Sequence, residues 1–409
     1  MLSLRSLYLA VGAASGSFFP FLAVMLAGRG FSAAEIGVAT ACGSLAYMGA
    51  VPLWGHLGDV TLGRARALRT GAVGAAVVVL LLAMPFPMAV AAALVVAFNA
   101  FQSALQPLAD SLALANVPDR DRDFARIRLL ASLSFAVVSI ACGVLYDRAG
   151  YPATALVFGV AAAWIVASVT GLRDSQRARV REKAAAPRRR GRFGTTGEAL
   201  AIQPRLPAVL VAIGLIHLGV LASFTYLPLR ITDLGGGPEM VALAAGVSAL
   251  GEIPGMLVAG VVAARIGLRG LFGAACLVYA ACIASWIVID VPAAIVATRF
   301  VTGCVFGGML VASALTIGSL LPARLQATGQ AVYQTTAFGI AAVVANLCGG
   351  LIYGSAGSSL LFALTAIAAV GAAVVGFVAY PARGAVTRPA DEAALVAALT
   401  TETEVPLGM

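Results

Sequence analysis

Along the 409 residues, apolar side chains gather into long blocks separated by short polar turns. A water-soluble core has no use for blocks of this kind. Twelve stand out, over roughly residues 4–27, 35–57, 67–84, 88–113, 128–146, 152–172, 207–230, 240–264, 268–289, 292–317, 327–353 and 358–380. Each is long enough for a helix across a hydrocarbon layer of roughly 30 Å. Runs of this length without alternation do not read as a barrel. The first block passes signal-peptide length without a convincing cleavage site, so it reads as a retained first span.

Composition agrees with this pattern. The chain is 61% hydrophobic and 11% charged, where soluble chains are about half apolar and a quarter charged. The expected class is an all-α membrane protein with twelve transmembrane helices, embedded in the lipid bilayer of a cell's inner membrane. A net charge of +9 raises the question of nucleic acid, and its placement answers it. With the N-terminus inside, 23 of the 27 basic residues lie on the cytoplasmic side, Arg29, Arg148 and Arg230 outside, and Arg299 within a span. That is the positive-inside distribution, with both termini cytoplasmic and no nucleic-acid partner. The basic run Arg188–Arg192 reads as an orientation signal that also contacts anionic lipid.

One long polar stretch, 173–206, carries Pro187 and Pro204 and many charges, and reads as a flexible cytoplasmic linker. It separates residues 1–172 from 207–383, with six spans in each, and a polar tail follows over 384–409. The halves share a weak repeat. Gly143-Val-Leu-Tyr146-x-x-Ala149-Gly150 matches Gly350-Leu-Ile-Tyr353-x-x-Ala356-Gly357, and Gly55…Arg64-x-Arg66 has a degenerate counterpart in Gly260…Arg265-x-Gly267-x-Arg269, with Ala264 where an acid would stand.

Between the second and third blocks lies Gly55–Leu68, GHLGDVTLGRARAL. Gly55, Gly58 and Gly63 permit close approach and sharp turning. Asp59 falls at a helix C-terminal end, where an acid opposes the local dipole and needs a partner. Arg64, Arg66 or a neighbouring helix end can supply it. This loop resembles the signature between helices 2 and 3 of the major facilitator superfamily of transporters. Pro107-Leu-Ala-Asp110-Ser, followed by Ile127-Arg128-Leu-x-x-Ser132, resembles its lactose permease-like and phenylpropionate permease-like branch. Phe18-Phe-Pro20-Phe-Leu, Gly30-Phe-Ser-x-x-Glu35-Ile-Gly37 and Ala327-Thr-Gly-Gln330-Ala-x-Tyr333 fit it too. The resemblance implies two pseudo-symmetric six-helix bundles (the major facilitator fold), alternating access, and Asp110 facing Arg128 at a cavity. It also implies a small-molecule substrate and proton symport.

The residues themselves leave several readings open. Asn99, Gln102, Gln106 and Asp110 are spaced to share one helical face, either toward a wet cavity or as glue to a neighbouring helix. Asp110 with Arg128 is a substrate or proton site, or a gate. Glu252 lies mid-span, where apolar surroundings favour the protonated carboxyl, and Arg299 stays charged and can pair with it or grip substrate. A static ion pair is the alternative for both. Gln330, Tyr333 and Gln334 are possible substrate contacts, as are His217 and Tyr226, with helix packing the rival role for His217. Trp54, Trp164 and Trp286 read as interface anchors.

The six cysteines all fall in apolar runs and read as small buried residues. Two histidines leave little for a metal site. No phosphate loop, HExxH or CxxC is present. The expectation is therefore a monomeric, non-enzymatic secondary transporter without cofactor or metal, carrying a sugar, nucleoside or aromatic or organic acid with protons. Proton-antiport efflux is the rival, disfavoured because the fifth span has one glycine and no proline. A membrane sensor or assembly factor on the same scaffold is a third reading, disfavoured by the polar stripe.

Overall fold

A computed structural model of the chain describes residues 2–116, 120–172 and 192–382. Among them, nine helices are long and apolar enough to cross a membrane. In chain order the helices are α1 (Leu2–Ala27), α2 (Ala33–Thr61), α3 (Arg64–Leu82), α4 (Met88–Asn116), α5 (Arg120–Ala149), the shorter α6 (Ala153–Ser168), α7 (Arg192–Ile202), α8 (Leu206–Asp233), α9 (Pro238–Val288), α10 (Pro292–Leu320) and α11 (Thr328–Ala379). No strand occurs among the described residues. Large apolar side chains such as Leu156, Leu257, Ile367, Val374 and Phe377 are more than 60% exposed. Such surface suits hydrocarbon, because water would penalise it.

Local signals account for the boundaries. Ser32 and Glu35 form a reciprocal capping box that starts α2. Pro107 interrupts α4, which runs as Met88–Gln102 and then Leu105–Asn116. A proline ring clashes with the carbonyl four residues back, here that of Ser103, and cannot donate to it. The two longest helices each contain a glycine outside helical geometry, Gly267 at φ 78° in α9 and Gly357 at φ 84° in α11. Those conformations are open to glycine alone, so each run is two helices joined at a sharp turn.

The chain divides into two compact units. Among the described residues, the first contains 2–116, 120–172 and 237–246, the second 192–236 and 247–382. Their internal geometry repeats. The six positive-φ glycines fall into three pairs, Gly30 with Gly235, Gly63 with Gly267, and Gly150 with Gly357, each pair 204 to 207 residues apart. Phe21 packs on Tyr146 in the first unit, with ring centroids 4.8 Å apart, and Tyr226 stacks on Tyr353 in the second at 5.7 Å. The hydroxyl of Tyr146 donates to the Ser17 carbonyl, and that of Tyr353 to Asp233. The glycine pairing corrects one register. Gly63 answers Gly267, so Ala263, not Ala264, stands opposite Asp59. Helix ends set this alignment, and the arginines near them do not.

Three further expectations are revised. The linker holds a helix, α7, and Gln203 beside it donates to the Leu320 carbonyl at 3.2 Å. Residues 173–191, with most of the basic run, and the tail from 383 lie outside the described residues. Trp286 is fully buried and donates to Thr298 Oγ1 at 2.8 Å, and Trp54 is buried and donates to the Ala100 carbonyl. Both serve packing, because an indole that finds an acceptor inside the protein gains nothing from the interface. All six cysteines are free thiols, but Cys42 and Cys348 are exposed on their helices.

Candidate functional site

The signature loop is built around one arginine. After α2 the chain makes a π turn, Leu57–Thr61, and reverses at Gly63, φ 82°. That reversal brings Arg64 back onto Asp59. Its Nε and Nη2 donate to the same carboxylate oxygen at 3.1 and 2.8 Å, and Nη1 donates to the Ser111 carbonyl on α4 at 3.2 Å. The carboxylate at the helix end thus acquires its counter-charge from Arg64. Arg66 is exposed. Gly58 is needed for space, since a Cβ there would lie 2.9 Å from Leu108. Gly55 has nothing within 4 Å of such an atom, so close approach does not explain it.

Ser111 is the neighbour of Asp110, and there the loop meets the first polar cluster. Arg128 Nη1 sits 2.5 Å from Asp110 Oδ2. Gln106 donates to Oδ1 at 3.0 Å, and the hydroxyl of Tyr8 on α1 donates to the same oxygen. Both charged residues are buried. A pair so enclosed is tolerable only when its remaining lone pairs are satisfied, and Tyr8 and Gln106 do this. Further along α4, Gln102 reaches Ser15 at 3.4 Å, and Asn99 donates to its own helix at Val95. Gln102 and Asp110 therefore face α1 and α5, whereas Asn99 lies against Gly43 of α2. Tyr8 carried no sequence signal, because a lone tyrosine in an apolar helix says nothing about which helix it will meet.

The second unit holds the other charged cluster. Small residues bring α9 and α10 together. A Cβ on Gly303 or Gly307 would strike the backbone of Ser248 or Glu252, and one on Gly251 or Gly255 that of Phe300 or Cys304. Glycine faces of this kind let helix backbones touch in a membrane. They place Glu252 within electrostatic reach of Arg299, both buried. Arg299 also donates to Thr302 at 3.2 Å and lies close to Tyr279, whose hydroxyl meets Ser223 Oγ at 3.1 Å. Its guanidinium carbon lies 6.0 Å from the Phe224 ring and 5.9 Å from that of Trp286, within cation–π range. Tyr279 and Phe224 were not foreseen and Trp286 reads from the sequence as an interface anchor, since two separate helices, α8 and α9, deliver the three to one arginine on α10.

The remaining candidates divide. Gln330 donates to the Ala314 carbonyl at 3.1 Å, and Gln334 one turn on is half-buried. The Tyr226 hydroxyl donates to the Asn346 carbonyl, beside a Thr225–Asn346 bond of 2.7 Å, which ties Tyr226 to α11. His217 and Tyr333 lie together with ring centroids 6.4 Å apart, alongside Phe306 and Phe338. Each unit thus holds one buried carboxylate–arginine grouping, the first wrapped by a hydroxyl and an amide, the second by hydroxyls and aromatic rings.

Comparison with known proteins gives a family-model match to the MFS_1 like family over residues 1–364. A maltose permease of Geobacillus stearothermophilus is 32% identical over 349 residues, which cover 84% of this chain and 86% of the relative. A putative nucleoside transporter of Escherichia coli, YegT, is 32% identical over 136 residues, about a third of each chain. Among solved structures, a variant of the nucleoside transporter NupG superposes with a TM-score of 0.79 at 14% identity, covering 93% of this chain and 99% of that one.

Proposed function

The chain belongs to the MFS_1 like family of the major facilitator superfamily, and from that premise we propose that it couples proton entry to uptake of a sugar. Membership makes it a multi-pass, non-enzymatic secondary transporter of small solutes. The finer reading is proton symport by alternating access through twelve spans, with α9 and α11 each counted as two and α6 as one. It places the protein in the inner membrane as a monomer with cytoplasmic termini, its basic linker against anionic lipid.

The observation that carries the proposal is Glu252 beside Arg299 within one buried cluster. A carboxyl in oil is costly when charged and is retained where it works. Arg299, always charged, competes with a proton for it. Protonation of Glu252 frees Arg299 toward a hydroxyl-rich solute, and Phe224 and Trp286 offer ring faces to the solute's C–H edges. The maltose permease relative, matched over most of both chains, supports a sugar over a nucleoside or an organic acid. Asp110 with Arg128, locked by Tyr8 and one residue from the Arg64 contact, suits the gate.

The test uses proteoliposomes holding the full chain under an imposed inward proton gradient, with labelled maltose and uridine as tracers. Gradient-driven accumulation of maltose, abolished by a protonophore, is the expected result. Uptake of uridine alone would transfer the reading to a nucleoside carrier. Gradient-independent equilibration, or solute-stimulated proton release from the vesicles, would overturn symport.

A further inference from the structure

His217 is a buried polar group that the coupling scheme leaves unused. It lies on α8, and 2% of it is exposed. Its Nδ1 stands 2.8 Å from the carbonyl oxygen of Ile213, one turn earlier. A carbonyl can only accept, so Nδ1 carries the hydrogen, and the other nitrogen of the neutral ring is a bare acceptor. That Nε2 is buried and has no hydrogen-bond partner among the described residues. Phe338, Phe306 and Tyr333 surround the ring edge-on, with centroids 4.8, 6.1 and 6.4 Å away. Leaving a buried acceptor unsatisfied is costly, so a protein that keeps one calls for an explanation.

The internal repeat sharpens the point. The Gly30–Gly235 offset, applied to α1, puts Gly12 at the position of His217. Gly12 lies against the backbone of Ala131 on α5, with no room for a Cβ. In the second unit the same place holds an imidazole. The facing part of α11 is not α-helical there but a π turn, Thr335–Ile340, with Phe338 on it. π turns are rare and gather at functional sites. A dry backbone contact in one unit is thus replaced in the other by an unpartnered acceptor inside an aromatic box.

Resting on the sugar-carrier reading, we propose that His217 Nε2 accepts a hydrogen bond from a hydroxyl of the transported solute. Phe306, Tyr333 and Phe338 form the apolar walls of that subsite. His217 is then a specificity-determining residue, selecting solutes that present a hydroxyl donor beside a C–H face. The box is closed over Nε2 in this structure, and the π turn carrying Phe338 is the wall that shifts to admit the solute.

The experiment measures equilibrium binding of maltose and its monodeoxy analogues to the purified full chain, with His217→Phe and His217→Gln. Phenylalanine keeps the ring and removes the acceptor, whereas the glutamine amide oxygen restores it. The expected result is about tenfold weaker maltose binding in His217→Phe, with His217→Gln largely rescued. One monodeoxy analogue should lose the same factor on the native chain and nothing further on His217→Phe. The chain has two histidines, so [15N]histidine labelling reads both rings. Maltose should shift His217 Nε2 and leave exposed His56 unmoved. If uridine is the tracer carried, its deoxy analogues replace those of maltose. Unchanged affinity in His217→Phe, persisting discrimination by that variant, or an unmoved Nε2 resonance would overturn the assignment while leaving the carrier reading intact. A native chain that binds neither solute would overturn both.

Discussion

Asp110 and Arg128, 18 residues apart in sequence, form a buried ion pair whose two further partners come from α1 and from one turn back on α4. Removal of one member leaves the other as an uncompensated charge, which costs about 3–5 kcal/mol. Asp110→Asn and Arg128→Gln should therefore each lower the midpoint of thermal unfolding in detergent. The double variant should be more stable than the sum of the two losses, and additive losses would show that the pair is not the relevant unit.

Glu252→Gln keeps the shape of the side chain and removes its charge. If proton uptake passes through it, gradient-driven accumulation should fall at least tenfold while exchange of labelled for unlabelled solute continues. Tracer counting with and without the gradient separates the two. Unaltered accumulation would sink the role given to Glu252.

Arg64 holds a carboxylate and a backbone carbonyl from separate nitrogens of one planar fork, a reach and double contact that the single nitrogen of an ammonium does not reproduce. Arg64→Lys should slow transport severalfold, whereas Arg66→Lys, at an exposed position, should be silent. Initial rates in proteoliposomes at matched protein density decide the matter, and equal effects would contradict the bridging role.

The α9–α10 contact predicts a contrast between glycines. Gly255→Ala drives a Cβ into the Cys304 carbonyl and should lower both thermal stability and transport. Gly273→Ala meets nothing within 4 Å and should stabilise by up to about 1 kcal/mol, the helix-propensity difference. Thermal melts of the two variants side by side test the packing directly.

How legible this was differs by residue. Gly150 and Gly357 were found through a sequence repeat, and the backbone gives both the left-handed conformation. Asp59 needed a partner by the dipole argument, and among the candidates Arg64 is that partner. The spacing of Asn99, Gln102, Gln106 and Asp110 presumed one unbroken helix, while Pro107 breaks it after Gln102. Trp286 was placed at an interface because its position along a helix was readable and the neighbours that enclose it were not.

Hydrophobicity acts on each residue separately, so block length and membrane class follow from the linear order alone. Pairing between helices depends on which faces meet, and a helix that is apolar all round does not declare its faces. Only folding therefore decided that Tyr8 meets Asp110, that Trp286, Phe224 and Tyr279 converge on Arg299, and that His217 keeps a bare nitrogen among three rings.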